Sequence, residues 1–198
     1  MNYKFILVLL FIICGCSKKT TPLEAYKELK EKRTLSTHIP TSPLSINENH
    51  KFELKISDSV MTFGEKEKIY TNYKGFNFNL ESNKKYKLTV SSICDCFGFK
   101  KYIFIPLVSI LDSSGTTIKM EELPDTFDYK NGPLSLNKTW IINNFTSGNY
   151  KLYLASNNMI LNESLYKFLT SPIPMTINIK TSIGGKFNIS IEEIKEDL

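Results

Sequence analysis

From Lys51 to Ile191 apolar and polar residues alternate with a period of two, the spacing at which successive side chains of a strand face opposite sides of a sheet. Phe52, Leu54 and Ile56 alternate with lysines, glutamate and serine, and Ser59 to Phe63 forms a shorter run. Phe76, Phe78 and Leu80 alternate with asparagines, and Tyr86, Leu88 and Val90 resume the pattern after the polar Ser82-Asn83-Lys84-Lys85, which predicts a hairpin. Tyr102 to Leu111 is apolar on both faces, as in a two-layer core, while Pro106 demands an edge or a bulge because it cannot donate to a ladder. Asp112-Ser113-Ser114-Gly115 is a turn by composition, followed by a short strand over Thr116 to Met120. A second hairpin is predicted from Thr139–Phe145 and Tyr150–Leu154, and two last strands, Met175–Lys180 and Lys186–Ile191, from a turn at Gly184-Gly185. Leu161, Leu165, Phe168 and Leu169 break the rule, because their spacing of three and four predicts a short helix. Eight to ten strands with one late helix predict a mainly β fold, an antiparallel β-sandwich of jelly-roll type.

Upstream of Lys51 the pattern is different. Thr21-Pro22-Leu23-Glu24 reads as a helix start, with Thr21 as N-cap, Pro22 at the first helical position and Glu24 closing a capping box. Leu23, Tyr26 and Leu29 make only a narrow stripe, so the helix is expected to be a semi-mobile stalk within a tether over residues 16–50. Before it, Lys4 and the nine-residue apolar run Phe5 to Ile13 lead into Ile13-Cys14-Gly15-Cys16. This resembles a bacterial lipoprotein signal, and the resemblance implies removal of residues 1–15 and diacylglycerol on the Cys16 thiol. Nine residues fall far short of the roughly 20 a spanning helix needs. The expected domains are thus 1–15 signal, 16–50 lipidated tether and 51–198 sandwich. Ser17 stands where, in enterobacterial lipoproteins, an aspartate would hold the protein at the inner membrane, so the expected location is the outer membrane, periplasmic face.

The central run carries a second resemblance. An aromatic alternating strand, the Tyr86-x-Leu88-x-Val90 strand, the strand ending Pro106-Leu107-Val108-Ser109-Ile110-Leu111-Asp112, a long loop, and Gly148-Asn149-Tyr150-Lys151-Leu152-Tyr153-Leu154 follow in that order. Over roughly Pro43 to Glu192 this is similar to the MalM family of periplasmic proteins, and more distantly to the sandwich domains appended to secreted peptidases. The resemblance implies a non-enzymatic envelope protein linked to carbohydrate uptake of the maltodextrin type, with no catalytic residues to carry over. The Cys94-Asp95-Cys96 loop is not part of that pattern.

Charge and chemistry narrow the reading. Removing Lys4 leaves basic residues only four in excess of the 20 acidic ones, and the lysines are interspersed with acids, so the partners expected are the membrane, through the lipid, and an envelope protein or glycan, not nucleic acid. Only His38 and His50 occur, both in or beside the tether, so the domain is expected to lack a histidine base and any cofactor or zinc site. Ser82-x-x-Lys85, Ser156-x-Asn158 and Lys180-Thr181-Ser182 echo the motifs of penicillin-binding enzymes, but Ser82 is expected in a polar turn. Asp112, Asp125 and Asp128 lack calcium-ligand spacing. Cys94 and Cys96 are the two thiols left in an oxidising compartment; a disulfide clamp is the first reading, and a redox or copper(I) factor acting through them is the alternative. Among the aromatics Tyr102, Trp140 and Tyr153 fall at core-like strand positions. Phe127 and Tyr129, in the long loop from Glu121 to Ser135, are the expected ligand contacts.

Overall fold

The computed structural model describes residues 20–32, 40–64, 68–96, 101–129, 133–143, 145–169 and 176–195. The signal segment, Cys16, Ser17 and His38 lie outside them. In chain order the elements are α1 (Pro22–Lys32), β1 (Thr41–Pro43), β2 (Asn49–Leu54), β3 (Val60–Phe63), β4 (Ile69–Leu80) and β5 (Lys85–Ile93). Then follow β6 (Tyr102–Ile103), β7 (Pro106–Leu111), β8 (Glu121–Glu122), β9 (Thr126–Asp128), β10 (Ser135–Ile142) and β11 (Gly148–Ser156). A 3₁₀ turn (Asn158–Ile160), β12 (Ser164–Leu169), β13 (Thr176–Thr181) and β14 (Gly185–Ile194) complete them.

Two sheets face each other across the main core. One has the order β1-β4-β11-β7, with β3 sharing the β1 side of β4; the other runs β2-β14-β5-β10-β8, with β9 beside β8 on β10. This is the strand order of a jelly roll whose eighth strand is reduced to the bridge between Leu111 and Thr117. Phe76, Phe78, Leu80, Leu152 and Leu154 from the first sheet meet Leu88, Val90, Trp140, Ile142, Phe187, Ile189 and Ile191 from the second. Phe187 sits at the centre, its ring 5.8, 6.4 and 5.9 Å from those of Phe52, Phe76 and Phe104. A smaller sheet, β12-β13-β6, covers one end.

The alternation located the strands but mispaired them. β4 and β5 are not a hairpin: β4 pairs with β11 and β5 with β10 and β14, so the connection through Ser82 arches from one sheet to the other. The predicted hairpin of β10 and β11 is likewise an arch, and the Gly184-Gly185 turn passes from the small sheet into the second large one. Two inward-facing rows look the same in sequence whether they lie side by side or face to face. At Gly184 the crossing is so tight that a Cβ would run into the Leu54 carbonyl. The expected strand from Tyr102 to Leu111 is two strands in different sheets, β6 and β7, with Pro106 at the edge position its missing N–H requires. Thr116 to Met120 is not a full strand: it contributes the Thr117 bridge, the Thr116 carbonyl that accepts the Asp112 N–H, an Ile118 N–H bond to Ile110, and the packing of Ile118 and Met120 on the core.

The expected helix at 161–169 is strand β12. Its register against β13 slips between Ser164 and Tyr166, and the extra residue, Leu165, disturbs the twofold period enough to imitate helical spacing. The stalk expectation also needs correction. The Thr21 N–H bonds Glu24 Oε2 at 2.8 Å while Thr21 Oγ1 accepts the Glu24 N–H, which is the predicted capping box. But Ala25 and Leu29 are buried, Leu23 of the predicted stripe is 54% exposed, and Ala25 packs with Leu161 and Ile183. The helix is docked. The segment after it is no tether from Thr41 onward, where β1 pairs in parallel with β4 and Leu44 enters the core.

Candidate functional site

The cysteine pair and the long loop are apart in sequence; folding joins them. Cys94 and Cys96 form a disulfide with their Cα atoms 5.2 Å apart. The Cys94 N–H donates to Leu134 O at 2.8 Å, and the Lys101 ammonium donates to Cys96 O. Cys94 is buried in a second, smaller core with Ile103, Ile105, Leu136 and Ile179, against which Phe127, Leu134 and Tyr166 pack. The loop from Glu121 to Ser135 is in fact a broken edge strand: β8 and β9 both pair with β10, on either side of Leu123-Pro124-Asp125. Phe127 is therefore corrected from exposed contact to packing residue, its ring stacked 4.6 Å from Tyr166. Tyr129 remains 63% exposed.

At the break in that edge strand lies a group the sequence reading passed over. Lys138 shares the inward phase of β10 with Leu136, Trp140 and Ile142, and is buried. Its ammonium stands 2.5 Å from Glu122 Oε1 and 3.3 Å from Asp125 Oδ1, and Glu122 Oε2 accepts the Trp140 indole N–H at 3.3 Å. Burial pulls its pKa down, but the two carboxylates outweigh that and hold it above the ordinary lysine value.

The three penicillin-binding-like motifs do not converge. Ser82 adjoins the Leu80 end of β4, where its hydroxyl accepts from Ser147 Oγ, whereas Ser156 and Ser182 are bonded to each other beside Thr71, about 30 Å away at roughly 3.3 Å per strand residue. His50 is in the domain after all, in β2, and its Nε2 accepts the Ser45 N–H at 3.2 Å. Asp112 is occupied by its own turn, with Oδ1 accepting from Ser114 N, Ser114 Oγ and Thr116 N at 2.9, 2.6 and 2.9 Å. The Ser114 hydroxyl first, then the Thr116 N–H, lowers its pKa. Among the described residues no three His, Cys, Asp or Glu side chains are placed to hold a metal ion.

A cleft of about 330 Å³ opens where β1 and β3 divide the edge of β4, within the range of about 300–1,000 Å³ found for small-ligand sites. Phe52, Asp58, Lys74 and Gly75 line it with Ser42, Ser57 and Ser59. Lys74 is in phase with the core residues Phe76, Phe78 and Leu80, so it points into the open edge of the sandwich, where its ammonium lies 3.2 Å from each carboxylate oxygen of Asp58. Asp58 is fixed from behind by the Lys55 N–H at 2.8 Å. Phe52 supplies the aromatic wall, backed by Phe76 at 4.9 Å. The signal that would have found this site is a lysine in the apolar phase of a strand. A second cleft of about 410 Å³, between Asn83, Lys84, Phe145 and Glu193, is a salt-bridged seam: Glu81 and Glu193 hold Lys84 at 2.8 and 2.9 Å and raise its pKa.

The architecture defines the class, a jelly-roll-like β-sandwich with a capping helix. No family model matches the chain, and no curated protein matches it. Among solved structures it is similar to the pre-peptidase C-terminal domain of collagenase from Bacillus anthracis, at 13% identity over 79% of this chain and 98% of that one, with a TM-score of 0.32.

Proposed function

We propose that this is a lipoprotein anchored through Cys16 at the periplasmic face of the outer membrane, a non-enzymatic binding module whose sandwich takes a sugar unit of an envelope glycan or a maltodextrin-type oligosaccharide. The observation that carries the ligand reading is the Phe52–Asp58–Lys74 cleft. A polyhydroxylated ring offers both donors and acceptors, and here a carboxylate, an ammonium and serines stand beside an aromatic wall suited to its apolar face. The apolar run from Phe5 to Ile13, followed by Gly15-Cys16, supports the anchor.

Each half has its own test. Cys16→Ala is expected to abolish palmitate labelling and to release the protein from the membrane pellet; label retained in the pellet sinks the anchor at Cys16. For the cleft, calorimetry with maltodextrins and soluble envelope glycan fragments is expected to show binding that Lys74→Ala weakens at least tenfold and Asp58→Asn weakens while keeping the turn. Wild-type protein that binds none of these glycans removes the sugar reading.

A further inference from the structure

We propose that the end of the domain formed by α1, the start of β4 and the 3₁₀ turn lies flat on the lipid surface, with Leu23, Tyr70 and Met159 entering the headgroup layer. The inference rests on the anchoring proposed above and deepens it from a tethered domain to an oriented one. Its first support is chain length. Only Ser17, Lys18 and Lys19 separate Cys16 from Thr20, and four residue steps span at most about 14 Å. The helix then begins at once, at Pro22, and is fixed to the domain through Ala25 and Leu29. The link therefore keeps this end within about 14 Å of acyl chains carried by Cys16.

The second support is where the exposed apolar side chains fall. Among the described residues four large hydrophobics are exposed, and three of them are Leu23 on α1 at 54%, Tyr70 at the start of β4 at 37% and Met159 in the 3₁₀ turn at 56%. These three elements adjoin one another. Both α1 and the 3₁₀ turn contact β4, Asn158 Nδ2 donates to Tyr70 O at 2.9 Å, and Ala25 packs on Leu161 just past the turn. Scattered single hydrophobics need no explanation, but three on adjoining elements, at the end nearest Cys16, have a partner at hand in the bilayer. Lys18 and Lys19 adjoin the anchor in sequence and the exposed Lys68 precedes β4, where they suit anionic headgroups, while α1 itself shows both signs, with Glu24, Glu28 and Glu31 exposed beside Lys27 and Lys30.

The test uses the full lipoprotein in vesicles of phosphatidylethanolamine and phosphatidylglycerol, as Met159→Trp and, for comparison, Tyr129→Trp; the native Trp140 is buried and gives a constant background. The fluorophore of Met159→Trp is expected to be quenched at least twofold more by phospholipid brominated high in its chains than that of Tyr129→Trp, and to be at least twofold less sensitive to aqueous iodide. Mass spectrometry of the N-terminal peptide reads Cys16 acylation in the same sample. Acylated Cys16 with an iodide-open, bromine-insensitive Met159→Trp overturns the docking and leaves the anchor standing. Shielding from iodide without quenching by brominated lipid means that protein covers this face, which also overturns it. Unacylated Cys16 overturns both.

Discussion

Lys74 and Lys138 break the apolar phase of their strands, and both are answered by carboxylates at a break in the sheet edge: Lys74 by Asp58, Lys138 by Glu122 of β8 and by Asp125. An inward-pointing charge at a sheet margin discourages pairing with another chain, so each contributes something before any ligand is considered. The Lys138 pKa is raised on folding, so its stabilisation is fully present below about pH 10.5, the unfolded value, and is lost as pH rises through the higher folded one. Lys138→Met is expected to cost about 1 kcal/mol at pH 8, discounted for the half-exposed Glu122, with the gap to wild type narrowing above pH 10.5 in denaturant titrations. Phe127 and Tyr129, indistinguishable by sequence, separate here. Phe127→Ser is expected to lose about 1–3 kcal/mol through the Tyr166 stack and the small core, and Tyr129→Ser to stay within about 0.5 kcal/mol, both read from melting curves.

At the scale of elements, what was legible was what depends on one strand alone. Phe76, Phe78 and Leu80, Tyr86, Leu88 and Val90, and Tyr150, Leu152 and Leu154 face the core in the predicted phase, and the Thr21–Glu24 cap forms as read. What depends on a partner was not legible: the arches, the Leu165 irregularity that posed as a helix, and the two- and three-residue strands β8 and β9, too short to show a period. The candidate cleft was missed for the same reason, since Phe52, Asp58 and Lys74 come from separate elements. Helix α1 misled through alanine: Ala25 is four residues before Leu29, and the pair buries a seam that counting large side chains overlooks. Leu29→Asp is expected to undock the helix and leave the sandwich folded, so that trypsin cuts at Lys27 and Lys30 at least tenfold faster while the domain from Thr41 survives. Unchanged cleavage would mean that burial of Leu29 does not hold α1.

For the whole molecule the informative fact is how far apart in sequence paired strands lie. β14 is inserted between β2 and β5, so that Phe187 faces Phe52 on one side and Ser92 on the other. β4 waits for β11, and the Ser82 and Gly148 connections, where quick local zippering would begin, join strands that never pair with each other. The order of events as the chain is delivered from its N-terminus follows from this. Until the residues of β14 arrive, β2 and β5 each show an unpaired edge, and the apolar rows of β4 and β5 have no completed layer between them. Such a topology folds on the slow side of the range, in milliseconds to seconds, and only after delivery is nearly complete. A chain that is acylated at its front end first would thus spend its unfolded interval already held at a bilayer, at a fixed low density and away from its neighbours. Refolding of the domain free in solution at rising concentration is expected to lose yield to aggregation well before refolding of a chain acylated at Cys16 and held on vesicles does.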